Sequence, residues 1–352
     1  MIKDGKLSDY LKKMIGVENE IKKVIIGIDR TVELVVLSVM CRGHILFDGL
    51  PGLAKTTLCL AVARTLGGEL VKFDGRPDFM PNQFMYVTEP NENGDPKFYP
   101  GPLIEKGPDI AVALLDEITR FVSQSQAFWF EIMNEGKLTL PTRTISLSRL
   151  LVVATKNKVT RGETFEIPQP QLDRFMQNIE LGYPALMAEK NILTDHRFDD
   201  IGKLVLGINT VLDLDELCQM IDAIQESVRM TDKMADYLMD VVRATREPSR
   251  FGVKLDGIEN VDDLVDNRQN SSGVSPRGAA KWRRIAKVAA FRRGSEYLTP
   301  EDALRVAETT LAHRIFVNSR ASGQRNRATL ARDFLKAVLD KIEIPGQADA
   351  SK

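Results

Sequence analysis

The sequence predicts an α/β layer protein whose second half is entirely helical, and three observations carry that prediction. Short apolar runs alternate with helical stretches through the first half. After Tyr183-Pro184 the strand signal stops and helical apolar spacing takes over. The chain is also long, since 352 residues at roughly 150 per domain suffice for about two domains with cores of their own.

The runs His44 to Asp48, Leu70 to Phe73, Ile110 to Leu115, Leu150 to Ala154 and Met176 to Leu181 are apolar or β-branched. Such runs read as strands buried on both faces of a parallel sheet. Between them lie helical stretches such as Thr56 to Leu66, and Ser123 to Asn134 with Phe128, Trp129, Ile132 and Met133 apolar. The alternation implies right-handed crossovers. Helical spacing then runs through Asp213 to Arg229, Thr231 to Arg246, Ser275 to Arg293, Thr299 to Asn318 and Arg327 to Ile342. Thr299-Pro300-Glu301-Asp302 is a strong helix start, with a capping Thr, Pro in the first turn and acids facing the helix dipole. Pro248 to Gly273 is polar, with Gly, Asp and Asn, and reads as a long loop or insertion.

Composition excludes whole classes of function. Lys+Arg 48 against Asp+Glu 49 leaves a net charge of −1, so no global field draws nucleic acid or an anionic membrane. Hydrophobic residues at 43% and charged residues at 28% are those of a globular chain, not a disordered one. No apolar run approaches the ~20 residues of a membrane span, and Met1-Ile2-Lys3-Asp4 starts no signal peptide, so a cytoplasmic protein without membrane insertion is expected. Cys41, Cys59 and Cys218 are odd in number and lack C-x-x-C spacing, which points to buried small side chains. His44, His196 and His313 lie far apart, which argues against a multi-His metal site.

The chemistry gathers at the ends of the predicted strands. Gly49-Leu50-Pro51-Gly52-Leu53-Ala54-Lys55-Thr56 follows one strand and opens a helix, the context a phosphate loop requires. Backbone N–H groups there have no partner within the helix and can surround a phosphate. Lys55 would add positive charge at the β- and γ-phosphates of ATP, and the Thr56 hydroxyl would ligate Mg²⁺. Ala54 stands where the strict pattern has its second glycine, and is accommodated without strain only if φ is negative there.

A second strand ends in Asp116-Glu117. Asp116 would hold Mg²⁺ through a bound water, and Glu117 would orient the water that attacks the γ-phosphate. A third ends in Thr155-Lys156-Asn157, where the Asn157 amide could contact the γ-phosphate or the attacking water. In Gln171-Leu172-Asp173-Arg174-Phe175, Arg174 could stabilise transition-state charge in a neighbouring subunit.

As an ordered set these segments resemble the AAA+ ATPases, and within them the MoxR family. Gly182-Tyr183-Pro184, Gly273-Val274-Ser275-Pro276-Arg277 and Tyr297 to Asp302 add to the match, which covers roughly Ile25 to Phe316. The resemblance makes Lys55 and Thr56 the Walker A residues, with Gly49, Pro51, Gly52, Leu53, Ala54 and Thr57 in the same loop and helix start. Asp116 and Glu117 become the Walker B pair, Asn157 sensor 1, Arg174 the arginine finger and Arg277 sensor 2 on the lid. The family tolerates Ala at position 54. Gly27-Ile28 stands where many relatives have Gly-Gln near the adenine, Thr119 replaces a common Asn and Lys158 a common Pro.

The implied architecture is a five-stranded parallel sheet with a β-hairpin inserted within Asp74 to Gly101, followed by a helical lid. The implied organisation is a helical extension over 1–24, a nucleotide-binding domain over 25–184 and a linker over 185–205. The lid would cover 206–344 with an inserted loop at 248–273, ahead of a disordered tail at 345–352. The family further implies ring hexamers, a partner with a von Willebrand factor A domain, and chaperone-like work on a client protein.

Three other readings compete. A nucleic-acid motor finds some support in Arg277, Lys281, Arg283, Arg284, Lys287, Arg292 and Arg293 on one helix, but Trp282, Ile285, Val288 and Ala289 give that helix an apolar face. A nucleotide-gated scaffold with little turnover would use the same groups. A small-molecule kinase leaves the lid and the inter-subunit arginine unexplained.

Overall fold

All five strand runs become one sheet in the computed structural model of the chain, which describes residues 4–50, 52–90, 95–140, 143–157, 165–265, 272–318 and 326–345. Two helices, α1 (Gly5–Lys22) and α2 (Asp29–Val39), lead into β1 (Ile45–Gly49), α3 (Lys55–Thr65) and β2 (Glu69–Asp74). A short excursion follows through α4 (Asn82–Met85), β3 (Tyr86–Pro90), β4 (Pro96–Pro100) and α5 (Pro102–Glu105). The core resumes with β5 (Ile110–Asp116), α6 (Ser123–Glu135), β6 (Lys137–Thr139), β7 (Thr144–Ser146), β8 (Leu151–Lys156), α7 (Gln169–Leu172) and β9 (Gln177–Leu181). Strand order is β2-β5-β8-β1-β9, with parallel pairing of β2 to β5, β5 to β8 and β1 to β8.

Burial follows position in that order. The inner strands β1, β5 and β8 are buried along nearly their whole length, as a sheet covered on both faces demands. The outer strands β2 and β9 were expected to be equally buried and are not, because each lies at a sheet edge and alternates buried with exposed positions. On one side Phe73, Phe84, Phe121 and Trp129 pack with rings 5.1 to 5.6 Å apart. The hairpin implied for 74–101 is present as antiparallel β3 and β4, with Val87 opposite Tyr99, and both strands are exposed.

By contacts the chain divides into two compact units. One comprises Lys12–Phe175 and Ile179–Ile221, and the other Met1–Leu11, Met176–Asn178 and Asp222–Lys352. Residues 185–205, expected as a linker, are helical: α8 (Leu186–Thr194), a 3₁₀ turn (His196–Asp200) and α9 (Ile201–Leu206), which packs on α3 in the first unit. The next helix, α10 (Leu214–Ser227), contains the boundary between the units.

The second unit holds α11 (Asp232–Ala244), α12 (Pro276–Arg292), α13 (Pro300–Leu311) and α14 (Arg327–Lys341). Each start is capped by short polar side chains. Thr231 accepts from the Met234 amide at 3.2 Å and Ser275 from Gly278 at 3.0 Å. At the predicted start of α13, Asp302 accepts from the Thr299 amide at 3.0 Å and is also held by Arg293 at 2.8 Å.

The expected loop at 248–273 is more structured than its composition suggested. Its described part makes two 3₁₀ turns and buries Val253, Val261, Leu264 and Val265. Residues 266–271 and 346–352, within the expected loop and tail, lie outside the described residues. Cys41 and Cys59 are buried as expected, whereas Cys218 is half-buried. Among the described residues no helix is long and apolar enough to cross a membrane.

Candidate active site

The carboxyl ends of β1, β5 and β8 bring three distant stretches of sequence to one crevice, the usual ligand position in an open α/β sheet. Gly52, Leu53, Ala54, Lys55, Thr56, Thr57, Asp116, Glu117 and Asn157 line one cavity of about 360 Å³. All nine of these residues were singled out from the sequence, and the structure brings them together at one cavity. Pro51 lies outside the described residues. Gly49 closes β1 against β9, where a Cβ would lie 2.8 Å from the Leu181 carbonyl oxygen.

A chain of polar contacts crosses the cavity. Lys55 Nζ donates to the Gly49 carbonyl at 3.3 Å and to Asn157 Oδ1 at 3.1 Å. The Asn157 amide donates in turn to Glu117 Oε1 at 2.5 Å. Arg120 holds the other Glu117 oxygen at 3.0 Å. Burial pushes the Lys55 amine below the usual lysine range, while Asp116, Asp48 and Glu117 pull it the other way. A buried cation facing this many acceptors is a group placed to meet anions.

Thr155 organises the acidic pair and was passed over in the sequence as the ordinary end of a strand. Its hydroxyl donates to Asp116 Oδ1 at 2.7 Å and accepts from the Glu117 amide at 2.9 Å. Because β8 neighbours β5 in parallel register, with Leu115 beside Ala154, the next residue on β8 reaches the Asp116 carboxylate and the Glu117 backbone amide. The only sequence signal was a hydroxyl at the polar end of an otherwise apolar strand. Lys72 on β2 was also missed; it sits 2.8 Å from Asp74 and 3.5 Å from Asp116.

Two backbone conformations at the site are strained. Glu117 adopts φ 53° and Ala54 φ 51°, both in the left-handed region. Glu117 is held there by its amide bond to Thr155 and by Gly75, whose amide donates to the Asp116 carbonyl at 2.8 Å. A Cβ at Gly75 would lie 2.2 Å from the Glu117 carbonyl oxygen, so only glycine lets β2 pass this close. Strain of this kind, of order 1–3 kcal/mol per residue, persists where a site requires it.

The condition under which Ala54 would be free of strain, a negative φ, is not met, because the loop turns into α3 through a left-handed residue. Ala54→Gly should therefore stabilise the fold by about 1 kcal/mol. The check is the denaturant midpoint, which should rise with an unchanged slope.

A second cavity of about 340 Å³ adjoins the first, sharing Gly52, Leu53, Ala54 and Thr57. Its remaining wall is apolar, from Val24, Ile25, Ile26 and Ile28 on one side to Ile192, Phe198 and Ile201 on the other. Ile28 thus lines an apolar cavity that adjoins the loop before α3. Gly27 abuts the same region at φ 78°, and its carbonyl accepts from the Ala185 amide at 3.4 Å. Residues 185–205, expected as a linker, supply Ile192, Phe198 and Ile201 of this wall.

Arg174 lies two residues past the end of α7, where it donates to the Pro170 carbonyl at 3.2 Å and stacks 5.7 Å over the Phe130 ring. It does not line its own chain's cavity. Arg277 is exposed in the first turn of α12, in the second unit.

Residues 44–177 match the ATPase family associated with various cellular activities (AAA), and 264–333 match the AAA lid domain. Protein MoxR of Methylorubrum extorquens is 33% identical over 97% of this chain and 98% of its own. The chain belongs to the MoxR family of AAA+ ATPases. Chaperone MoxR1 of Mycobacterium tuberculosis is 31% identical over 84% of this chain and 74% of its own. A candidate ATPase from Cytophaga hutchinsonii, known from its crystal structure, superposes with a TM-score of 0.82 at 26% identity over 96% of this chain and 97% of its own. MoxR membership accounts for the pairing of an α/β core that binds nucleotide with a helical lid.

Proposed function

We propose that this MoxR protein hydrolyses ATP to ADP and phosphate at a seam between two copies of the chain, and uses the cycle to remodel or activate a client protein. The observation that carries the reading is the continuous contact chain from Lys55 through Asn157 to Glu117 in one cavity. A phosphate drawn to Lys55 would be sensed by Asn157, and Asn157 touches the carboxylate that positions water. The adjoining apolar cavity beside Ile28 suits the adenine base.

Mg²⁺ fits the donor set, since the Thr56 hydroxyl and the Asp116 carboxylate are hard oxygen ligands lining the same cavity. Bound there it would neutralise phosphate charge. The protein's own part is to hold the Asp116 oxygen through Thr155, to keep Glu117 in its left-handed turn, and to present Lys55. Arg174 is assigned to a neighbour's pocket, a reading supported by its absence from its own cavity. Arg277 would carry nucleotide state to the lid.

A hexameric ring follows from the family, and so do a von Willebrand factor A domain partner and chaperone-like action; Chaperone MoxR1 is a relative so named. No field of net charge favours nucleic acid as the client, although α12 carries a basic face.

The seam is tested by mixing two variants that are each inactive, Lys55→Ala and Arg174→Ala. Random mixing in a ring joined head to tail should regenerate about one quarter of the intact seams, and turnover with them. A wild-type rate per protomer that stays constant on dilution, with no recovery in the mixture, would overturn the seam.

A further inference from the structure

Lys72 belongs to none of the motifs above, yet its side chain occupies the acidic edge of the site. Parallel register sets Asp74 at the end of β2 directly beside Asp116 at the end of β5. Two carboxylates side by side repel each other, and Lys72 lies between them, 2.8 Å from Asp74 and 3.5 Å from Asp116. The other Asp116 oxygen accepts from Thr155 at 2.7 Å, so both oxygens of this carboxylate are engaged from within the chain. Arg120 pairs with Glu117 and Lys55 approaches through Asn157. Three carboxylates, Asp74, Asp116 and Glu117, thus face three cations, Lys55, Lys72 and Arg120, while Asp48, which also acts on Lys55, is paired with Lys156 at 3.0 Å. The site is balanced by its own side chains.

We propose that Lys72 is a positioning residue that acts as an internal counter-cation to Asp116, making uptake of a divalent metal conditional on nucleotide. A bare metal ion approaching Asp116 must displace or face the Lys72 ammonium and gains no net attraction from a neutral cluster. A polyphosphate brings its own negative charge, tips the balance and carries the metal in with it. Lys72 then turns fully to Asp74, which keeps it within reach and out of the way. Asp74 is the parking partner; Asp116 is the contested one. This inference rests on the reading of Asp116 as the metal-holding carboxylate.

The probe is Mn²⁺ added to the full-length protein without nucleotide, with binding read from loss of the free-ion electron paramagnetic resonance signal. Lys72→Met keeps the stem and removes the charge, and should tighten Mn²⁺ binding about tenfold over wild type. Lys72→Arg should restore wild-type behaviour. Asp74→Asn should act in the opposite sense, because Lys72 then has Asp116 alone; the Mg²⁺ concentration needed to half-saturate a fluorescent ATP analogue should rise several-fold.

A purely structural lysine would move both variants in one direction, and that result overturns the proposal. So does a Lys72→Met protein that binds Mn²⁺ no better than wild type while Asp116→Asn loses metal-dependent nucleotide binding. If Asp116→Asn binds nucleotide with unaltered metal dependence, the assignment of Asp116 itself fails and takes the proposal with it. Should Lys72→Met not fold, the Asp74→Asn shift alone decides: an unchanged or lower Mg²⁺ requirement counts against the counter-cation.

Discussion

Glu117→Gln is expected to lower ATP turnover about 10²- to 10⁴-fold while nucleotide binding stays close to wild type. The substitution keeps the side chain's shape, and the Gln carbonyl oxygen can still accept from the Asn157 amide. It removes the negative charge that pairs with Arg120 at 3.0 Å and that would take a proton from water. Thr155 and Gly75 hold the backbone turn at Glu117 without using its carboxylate, so the strained φ of 53° should survive. Phosphate release in steady state, paired with equilibrium binding of a fluorescent nucleotide, separates the two effects. Turnover that persists unchanged would remove Glu117 from the chemistry.

Lys55→Ala should act on binding first. A charge-assisted hydrogen bond is worth roughly 1.5–3 kcal/mol, so nucleotide affinity should fall about 10- to 100-fold, with turnover lost as a consequence. Burial holds the Lys55 amine below its usual range, so the unliganded fold gives up little when that amine is removed. Melting without nucleotide should therefore stay near wild type, while the stabilisation that ATP confers on wild type disappears. An alanine variant that binds nucleotide as tightly as wild type would detach Lys55 from the phosphates, and the contact chain to Glu117 would lose its starting point.

Much of the site was legible because its parts are local. The phosphate loop is eight consecutive residues between a strand and a helix, and the acidic pair and Asn157 each terminate an apolar run. A strand end is visible in sequence as the place where hydrophobicity stops, and the sheet then places all such ends at one edge. The implied hairpin likewise came out as antiparallel β3 and β4.

What escaped was non-local. Thr155 and Lys72 matter through strand register: β8 lies beside β5 and β2 lies on its other side, and neither adjacency is written in any contiguous stretch. The apolar cavity proposed for the base joins Ile28 to Phe198 and Ile201 across the length of a domain. Read by itself, the segment 185–205 has too little apolar periodicity to stand out as helix, and its side chains gain meaning only against α3 and the residues around Ile28.

The chain's own order of residues therefore determined the fold class, the family and the candidate phosphate-loop and acidic residues, since each depends on chemistry repeated over a few neighbouring positions. Tertiary structure decided the rest: that Ala54 takes a left-handed turn, that Thr155 ties the Asp116 carboxylate to the Glu117 amide, and that Lys72 stands against Asp116. Those facts depend on which strands become neighbours and in what register, and that is settled by packing of the whole sheet, not by any segment of it.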